Sequence, residues 1–239
     1  TLGVNAALAV AVAAETTPAP YHPEIAPYVQ FLEQNQQDPV DYVMGLFEKR
    51  DIVILVERHH QELTQWDFIY RLTSDPRFRK AVGNIFTEYF SCHQQKQIDD
   101  FLAAESLDNE KLLQILRDYP FHVPGRQQVN IFLYLQRLYH LNRGLPAEER
   151  VRYYPCDVPW TWEGLTAEEV EAHEQYLLSD RDHLMASRVL MKFNELQNSG
   201  DPRKKVLVVM NTRHGYGDVA NANGRRGQNT GALLFRWFP

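Results

Sequence analysis

Four clusters of polar residues that can carry acid–base or metal chemistry stand directly after short apolar runs. The clusters are Glu57-Arg58-His59-His60, Glu88, Asp157 and Asn211-Thr-Arg-His214. The runs before them are Asp51–Val56, Asn84–Thr87, Val151–Cys156 and Lys205–Met210. A carboxylate beside an imidazole can orient a histidine base, and the same two side chains can bind a metal ion. The clusters are therefore the candidate functional residues of the chain.

Four residues are the strongest catalytic candidates. Glu57 is followed by two imidazoles, so the base is either His59 or His60. Glu88 precedes Tyr89-Phe90, and desolvation beside these rings would raise its pKa and suit it to act as a second acid or base. His214 lies in a loop whose glycines permit close backbone approach to a ligand. The predicted catalytic set is Glu57, His60, Glu88 and His214.

Other residues are predicted to support this set. The supporting or substrate-binding residues are Arg58, His59, Asp157, Arg181 and Asp182. A divalent metal held by Glu57, His60 and His214 is an alternative to metal-free chemistry. The sequence lacks a Gly-x-Ser-x-Gly elbow, a Walker loop, a dinucleotide glycine fingerprint and a His-Glu-x-x-His helix. Serine nucleophile chemistry thus has no recognisable motif here.

The apolar runs predict how these residues are positioned. Continuous apolar runs of this kind are typical of strands buried on both faces of a parallel sheet. Helical apolar spacing lies between and before them, at 23–36, 40–49, 63–72, 94–103, 109–119, 127–142 and 167–197. Thr166 and Glu169 form a capping-box pattern at the start of the last of these helices. The alternation predicts a single-domain α/β fold with a mainly parallel central sheet flanked by helices.

A parallel sheet would bring the four clusters together. Ligands of open parallel sheets bind outside the carboxyl ends of the strands, and all four clusters stand at such ends. We therefore predict that Glu57, His60, Glu88 and His214 share one crevice at one edge of the sheet.

Composition limits the class of protein. The chain has 239 residues, of which 44% are hydrophobic, as expected for one large domain with its own core. A net charge of −6 without a basic cluster argues against nucleic acid as a partner. The expected partner is a small-molecule or peptide substrate. The two cysteines, Cys92 and Cys156, either pair or remain buried thiols.

The two ends of the sequence carry separate predictions. Residues 2–14 are small and apolar, and the polar, proline-containing segment 15–20 follows them. This pattern predicts that 1–20 is the remnant of a secretory signal and linker, and that the protein is periplasmic or secreted. An Ala-rich buried helix is the alternative, and thirteen residues are too few to span a membrane. The segment 233–239 contains an apolar run, 233–238, that is typical of a strand, and it lacks the polar tail that usually closes a domain. We therefore expect the domain of residues 21–239 to be truncated at its C-terminus.

Taken in order, the motifs resemble a known family. They are strand then Glu57-x-x-His60, strand then Glu88, Val151-x-Tyr153-x-x-x-Asp157, Arg181-Asp182-x-x-Met185-Ala186, and strand then Asn211-x-x-His214. This order is similar to the erythromycin esterase-like family, within the group that includes the Tiki proteases and the ChaN-type haem-uptake proteins. The resemblance covers residues 51 to 239. Val56 differs from the glycine that the family usually has before the glutamate.

The resemblance implies a hydrolase that attacks an ester, lactone or amide with an activated water. His60 would be the general base, Glu57 and Glu88 would orient it or the water, and His214 would stabilise or protonate the substrate. Tiki-like relatives do similar work with a divalent metal. The alternative implied by the resemblance is a ChaN-like exported haem- or iron-binding protein, which predicts an exposed apolar platform beside a His or Tyr ligand.

Overall fold

The structure is a computed structural model that describes residues 21–119, 128–217 and 228–238. Residues 1–20, on which the export prediction depends, lie outside the described residues. The chain divides into two compact units, residues 1–38 and residues 39–239. The described part of the first unit contains helix α1 (Ala26–Gln34), none of whose residues is buried. All the other helices and strands that the structure describes belong to the second unit.

The described helices of the second unit are α2 (Pro39–Phe47), α3 (Leu63–Ser74), α4 (Pro76–Ala81), α5 (Gln95–Ala103), α6 (Asn109–Arg117), α7 (Val129–Arg143), α8 (Ala167–Ser179), α9 (Arg181–Asn198), α10 (Thr212–Gly215) and α11 (Thr230–Trp237). The strands are β1 (Ile52–Glu57), β2 (Asn84–Ser91), β3 (Arg152–Asp157) and β4 (Val206–Asn211). Within the described ranges, every helix is too short or too polar to cross a membrane.

The four strands form one parallel sheet in the order β1-β4-β2-β3. β1 and β4 pair in continuous register from Ile52 with Val206 to Glu57 with Asn211. The predicted α/β class, with a mainly parallel sheet flanked by helices, is confirmed. The predicted strands differ from the observed ones by at most a few residues, because a run buried on both faces is easy to recognise in sequence.

Alternate side chains of the strands build two separate cores. Val53 and Leu55 of β1 pack into a large cluster with helices α2 to α7. Ile52 and Ile54 point to the opposite face, where α9 and α11 form a smaller cluster. This alternation follows from the two-residue period of a strand. Since both faces are covered, polar groups gather at the ends of the strands.

The predicted helix over 167–197 is interrupted. The capping box at Thr166 and Glu169 is confirmed, but α8 ends at Ser179 and α9 begins at Arg181. Asp180 between them has φ −121° and ψ 16°, outside helical geometry. The prediction of one long helix is therefore wrong. The sequence gives no signal for the break, because residues 179–182 contain no Pro or Gly. At the break, Arg181 and Asp182 in the first turn of α9 contact Asp157 and His214, which are distant in sequence.

The strand predicted at 233–238 is also wrong, because Thr230–Trp237 form helix α11. Asn229 caps this helix by accepting a hydrogen bond from the Ala232 amide at 3.1 Å. Leu233 and Leu234 are buried together while Phe235 is exposed, as on one face of a helix. An asparagine before a short apolar run is a helix-start signal that outweighs the β-propensity of the residues after it.

The two cysteines are free thiols. Cys156 is buried on β3 and Cys92 is half-buried after β2. Burial raises the pKa of both thiols. Of the two alternatives left by the sequence, the structure therefore shows unpaired thiols.

Candidate active site

Glu57 is the last residue of β1, and its carboxylate is fully buried. Three side chains surround it. The Trp66 indole donates a short hydrogen bond to Oε1, the Tyr89 hydroxyl lies 3.4 Å from the same oxygen, and His60 Nδ1 lies 2.9 Å from Oε2. Donors on both oxygens compensate the loss of water around a buried carboxylate.

His60 is fixed through both its ring and its backbone. Its carbonyl accepts hydrogen bonds from the Tyr89 hydroxyl at 2.8 Å and from Asn130 Nδ2 at 2.5 Å. The rings of His60 and Tyr89 meet edge to face at 5.5 Å. One third of the His60 side chain is exposed, while its partner Glu57 is not exposed at all. The imidazole thus joins a buried acid to the surface of the crevice.

Glu88 lies between the two predicted histidines. Its Oε1 accepts a hydrogen bond from the Asn211 amide at 2.7 Å and lies 3.5 Å from His60 Nδ1. Its Oε2 is buried without a hydrogen-bond partner and lies 3.6 Å from His214 Nε2. A buried carboxylate oxygen without a donor is costly unless a water, an ion or a ligand completes it.

An irregularity in β2 accompanies this placement of Glu88. The register with β3 shifts between Thr87 and Ser91, and Phe90 has a φ of 71°. Tyr89 and Phe90 both pack into the larger core, although neighbouring residues of a regular strand point to opposite faces. Positive φ in a phenylalanine costs roughly 1–2 kcal/mol. The bulge allows Glu88 and Tyr89 both to reach the site.

His214 lies on α10, the short helix that directly follows β4. Its Nδ1 lies 2.9 Å from Asp182 Oδ1. The same oxygen accepts hydrogen bonds from the Thr230 amide at 2.8 Å and the Thr230 hydroxyl at 2.9 Å. His214 Nε2 faces Glu88 and Arg181, whose Nη1 is 3.5 Å away.

Arg181 connects this histidine to the end of β3. Its guanidinium makes a bidentate ion pair with Asp157, with both N–O distances at 2.8 Å. Asp157 is buried and also accepts a hydrogen bond from the Tyr119 hydroxyl at 2.6 Å. Bidentate pairing fixes the plane of the guanidinium. The adjacent residues Arg181 and Asp182 thus bind Asp157 at the end of β3 and His214 after β4, respectively.

Burial and charge shift the pKa values of three of these groups. Burial raises the pKa of Glu57, and the neighbouring charge of Glu88 raises it further. Burial alone would lower the pKa of His60, but the bond to Glu57 and the charge of Glu88 outweigh burial and raise it. Burial opposes the charge on Asp182, yet the His214 bond lowers its pKa. Glu57 and His60 together therefore retain a proton to higher pH than separate groups would.

Three of the side chains could also hold a metal ion. Glu57, His60 and Glu88 each offer a ligand atom, and these atoms lie within 4.8 Å of one another. Carboxylate and imidazole ligands at this spacing suit a divalent cation such as Zn²⁺. The unpartnered Oε2 of Glu88 also fits a cation. This set contains Glu88 where the sequence-based prediction had His214.

The structure separates two predicted residues from the cluster. Arg58 is largely exposed and lies 3.8 Å from Glu62. His59 is exposed, whereas the ring of its neighbour His60 contacts the carboxylates. Arg181 and Asp182 contact His214 directly, and Asp157 is joined to the cluster through Arg181. Their chemical roles remain predictions.

Five contributing side chains were not predicted from the sequence. They are Trp66, Tyr89, Tyr119, Asn130 and Thr230. Most of them lie inside helices or a strand, where such residues are usually part of the core. Thr230 follows the helix cap Asn229, so recognising that cap would have drawn attention to it.

Fold and site define a single-sheet α/β protein with an acid–imidazole cluster at the carboxyl ends of its strands. No protein-family model matches the chain, and no curated protein matches it. Among the solved structures that match it, two are similar to it in fold. The type III effector HopBA1 has a TM-score of 0.52 and 11% identity, over 80% of each chain. A structure described as bacterial protein toxins has a TM-score of 0.51 and 12% identity, over 88% of this chain and 38% of that one.

Proposed function

We propose that the chain is a hydrolase that activates water at the Glu57–His60–Glu88–His214 cluster and cleaves an ester, lactone or amide. One observation carries the proposal. Two imidazoles, each oriented by its own carboxylate, lie near different oxygens of a third carboxylate, Glu88. Glu88 Oε2, the oxygen that lies 3.6 Å from His214 Nε2, has no hydrogen-bond partner among the described residues, so a water or a substrate group can bind there.

His60 is the proposed base. Its Nδ1 donates to Glu57, so Nε2 carries the lone pair on an imidazole that is one-third exposed. Nε2 would take a proton from water as the water oxygen attacks the substrate carbonyl carbon. Glu57 would stabilise the imidazolium that forms, as a buried carboxylate does beside a catalytic histidine. This support requires an ionised Glu57.

His214 and Arg181 are proposed to act on the substrate. Breaking the bond between the carbonyl carbon and the leaving group requires a proton for the leaving oxygen or nitrogen, and His214 Nε2 would supply it. The ionised Asp182 would stabilise the protonated form of His214. Arg181 would stabilise the negative charge that develops on the carbonyl oxygen. Asp157 holds the guanidinium in place for this role.

A bound divalent metal is compatible with the same residues. Glu57, His60 and Glu88 would hold it, and it would lower the pKa of a bound water. Because His60 Nδ1 and Glu57 Oε2 contact each other directly, metal binding would replace their hydrogen bond. A chelator should therefore lower the rate if a bound metal activates the water, and leave the rate unchanged if His60 acts as a base without a metal.

The proposal is tested by metal analysis of the purified protein, followed by assays on ester, lactone and peptide substrates with and without chelator. Replacing His60 by Ala should lower the rate by about 10²–10⁴-fold, as expected for loss of a general base. His59→Ala is the matched control, because His59 is the exposed neighbour, and it should retain the rate. Glu57→Gln should lower the rate severely while the fold remains.

If a metal is the activator, His60→Ala and Glu57→Gln should lower the bound metal together with the rate. Full activity of both variants on a confirmed substrate would refute the proposal. The haem-carrier alternative would then be preferred, and a haemin titration monitored by its absorption band would test it.

A further inference from the structure

A second concave surface lies near the opposite, amino-terminal end of β1. It encloses about 670 Å³ and lies between β1, α9 and α11. Its apolar wall consists of Ile52, Ile54, Phe193, Leu234, Trp237 and Phe238. Phe235 at its rim is 62% exposed. Ile52 and Glu57 are separated by five residue steps, or roughly 17 Å of strand, so this groove is distinct from the candidate active site.

The groove runs along an unpaired sheet edge. β1 is the first strand of the sheet and pairs only with β4 among the described residues. The Asp51 carbonyl accepts a hydrogen bond from the Val206 amide, which directs the backbone groups of 51, 53 and 55 toward β4. The amides and carbonyls of Ile52 and Ile54 therefore point outward, beside the groove.

The opposite edge of the sheet is protected. The Arg152 amide donates to the Gly83 carbonyl, so the outward-pointing residues of β3 are Tyr153 and Pro155. The carbonyl of Tyr153 accepts a hydrogen bond from Gln95, and Pro155 has no amide hydrogen to donate. Proline and side-chain capping are common ways to prevent strand addition. On β1 such a cap is present at Val56, whose carbonyl accepts a hydrogen bond from Gln65.

The charges near the groove point to the chemistry of its partner. Lys49 and Arg50 line one end of it and are exposed. In the described part of the chain, neither side chain has an acidic partner, whereas the neighbouring Asp51 is paired with Lys205 at 2.8 Å. A second copy of this chain would bring the same two cations to the edge. An acidic group in the partner would neutralise them.

We propose that this groove binds an extended segment of another protein by strand addition to β1. The ligand backbone would pair with Ile52 and Ile54, and its alternate apolar side chains would fill the space between β1 and α11. An acidic residue of the ligand would lie beside Lys49 and Arg50. Strand addition supplies affinity through backbone bonds and specificity through pockets for alternate side chains.

A random-peptide phage library selected on the immobilised full chain tests the proposal. Enriched sequences should alternate apolar residues and carry an acidic residue at one end. Synthetic copies should bind the wild-type chain and lose at least about tenfold in affinity with Phe235→Glu, as expected for loss of one anchoring contact. Tyr176→Glu, an equally drastic change of an exposed aromatic outside the groove, should bind as the wild type does.

Two further variants examine the backbone and the charge. Ile54→Pro removes an outward amide without removing a bond to β4, and it should weaken binding as Phe235→Glu does. Reversing both cations, with Lys49→Glu and Arg50→Glu, should remove the preference for acidic peptides. The proposal is overturned if no alternating consensus emerges, or if Phe235→Glu binds the selected peptides as well as the wild type. It is also overturned if sedimentation shows a wild-type dimer that Phe235→Glu dissociates, since a second copy would then be the occupant.

Discussion

Glu88 makes the candidate site one unit rather than two neighbouring pairs. Its two carboxylate oxygens face different imidazoles, which come from the ends of different strands. The Asn211 amide donates to one of these oxygens, so the end of β4 fixes a carboxylate of β2. The outer acids, Glu57 and Asp182, each receive donors from helices. Every reactive side chain is therefore oriented by a group from another part of the chain.

Trp66 should be coupled energetically to Glu57. Its indole donates to a carboxylate that is fully buried, so Trp66→Phe leaves Oε1 with only the longer contact to Tyr89. We expect a coupling of about 1–3 kcal/mol between Trp66→Phe and Glu57→Gln in a double-mutant cycle of unfolding free energies. Urea denaturation of the wild type, the two single variants and the double variant measures it.

Trp162→Phe is the control for this cycle. Trp162 is half exposed and donates to the Asp118 carbonyl away from Glu57. Its coupling to Glu57→Gln should be close to zero. Equal couplings for the two tryptophans would show that the indole hydrogen bond does not stabilise the buried carboxylate.

Two glycines allow α10 and α11 to pack closely at the site. A Cβ on Gly231 would overlap the backbone oxygen of Gly215, and a Cβ on Gly215 would overlap Val56 of β1. Asn229 joins the same two helices, with hydrogen bonds to the carbonyls of Arg213 and Tyr216. Because the backbones of Gly215 and Gly231 are in direct contact, Thr230 of α11 and His214 of α10 can both hydrogen-bond to Asp182.

Gly231→Ala should therefore lower the unfolding free energy by about 1–3 kcal/mol, the usual cost of overpacking a close contact. Gly45→Ala is the matched control, since Gly45 also lies in a helix but a Cβ there meets nothing within 4 Å. This control should raise the unfolding free energy by roughly 0.5–1 kcal/mol, through helix propensity alone. Urea denaturation of both variants measures the difference. A neutral Gly231→Ala would mean that α11 can move away from α10 without loss.

The elements themselves differ in how well sequence predicts them. The four strands were predictable because continuous apolar runs specify burial on two faces, and their polar ends followed from the same pattern. The break at Asp180 was not predictable, since residues 179–182 contain no helix breaker. It coincides with contacts from Arg181 to Asp157 and from Asp182 to His214, which join segments far apart in sequence. The same applies to Asn130, which lies 70 residues from His60.

At the scale of the whole molecule, strand order determines which clusters meet. The order β1-β4-β2-β3 places β4 between β1 and β2. His214, which follows β4, can therefore lie near Glu88 of β2 although it is last in sequence. Sequence predicts that all four strand ends share an edge of the sheet, because they are parallel. It does not give their lateral order, which depends on how the helices pack across the two faces.

The cluster should also affect the stability of the whole fold as the pH changes. The folded-state pKa of Glu57 is raised by burial, and that of His60 is raised by its carboxylate neighbours in spite of burial. In both cases the folded protein retains a proton that the unfolded chain releases. Their stabilising contribution is therefore fully present below the ordinary pKa values of 4.5 and 6.5, and it is lost as the pH rises through the folded values.

Glu57→Gln removes the contribution of Glu57 and weakens that of His60. With EDTA present to exclude bound metal, the unfolding free energy of Glu57→Gln relative to wild type should increase between pH 5 and pH 8. Urea denaturation across this range measures the trend, with the exposed-site variant Glu171→Gln as a control that should run parallel to the wild type. If the curves of Glu57→Gln and the wild type also run parallel, the buried pair does not retain its proton in the folded state, and the ionised Glu57 with neutral His60 that the proposed base requires would then already be present at lower pH.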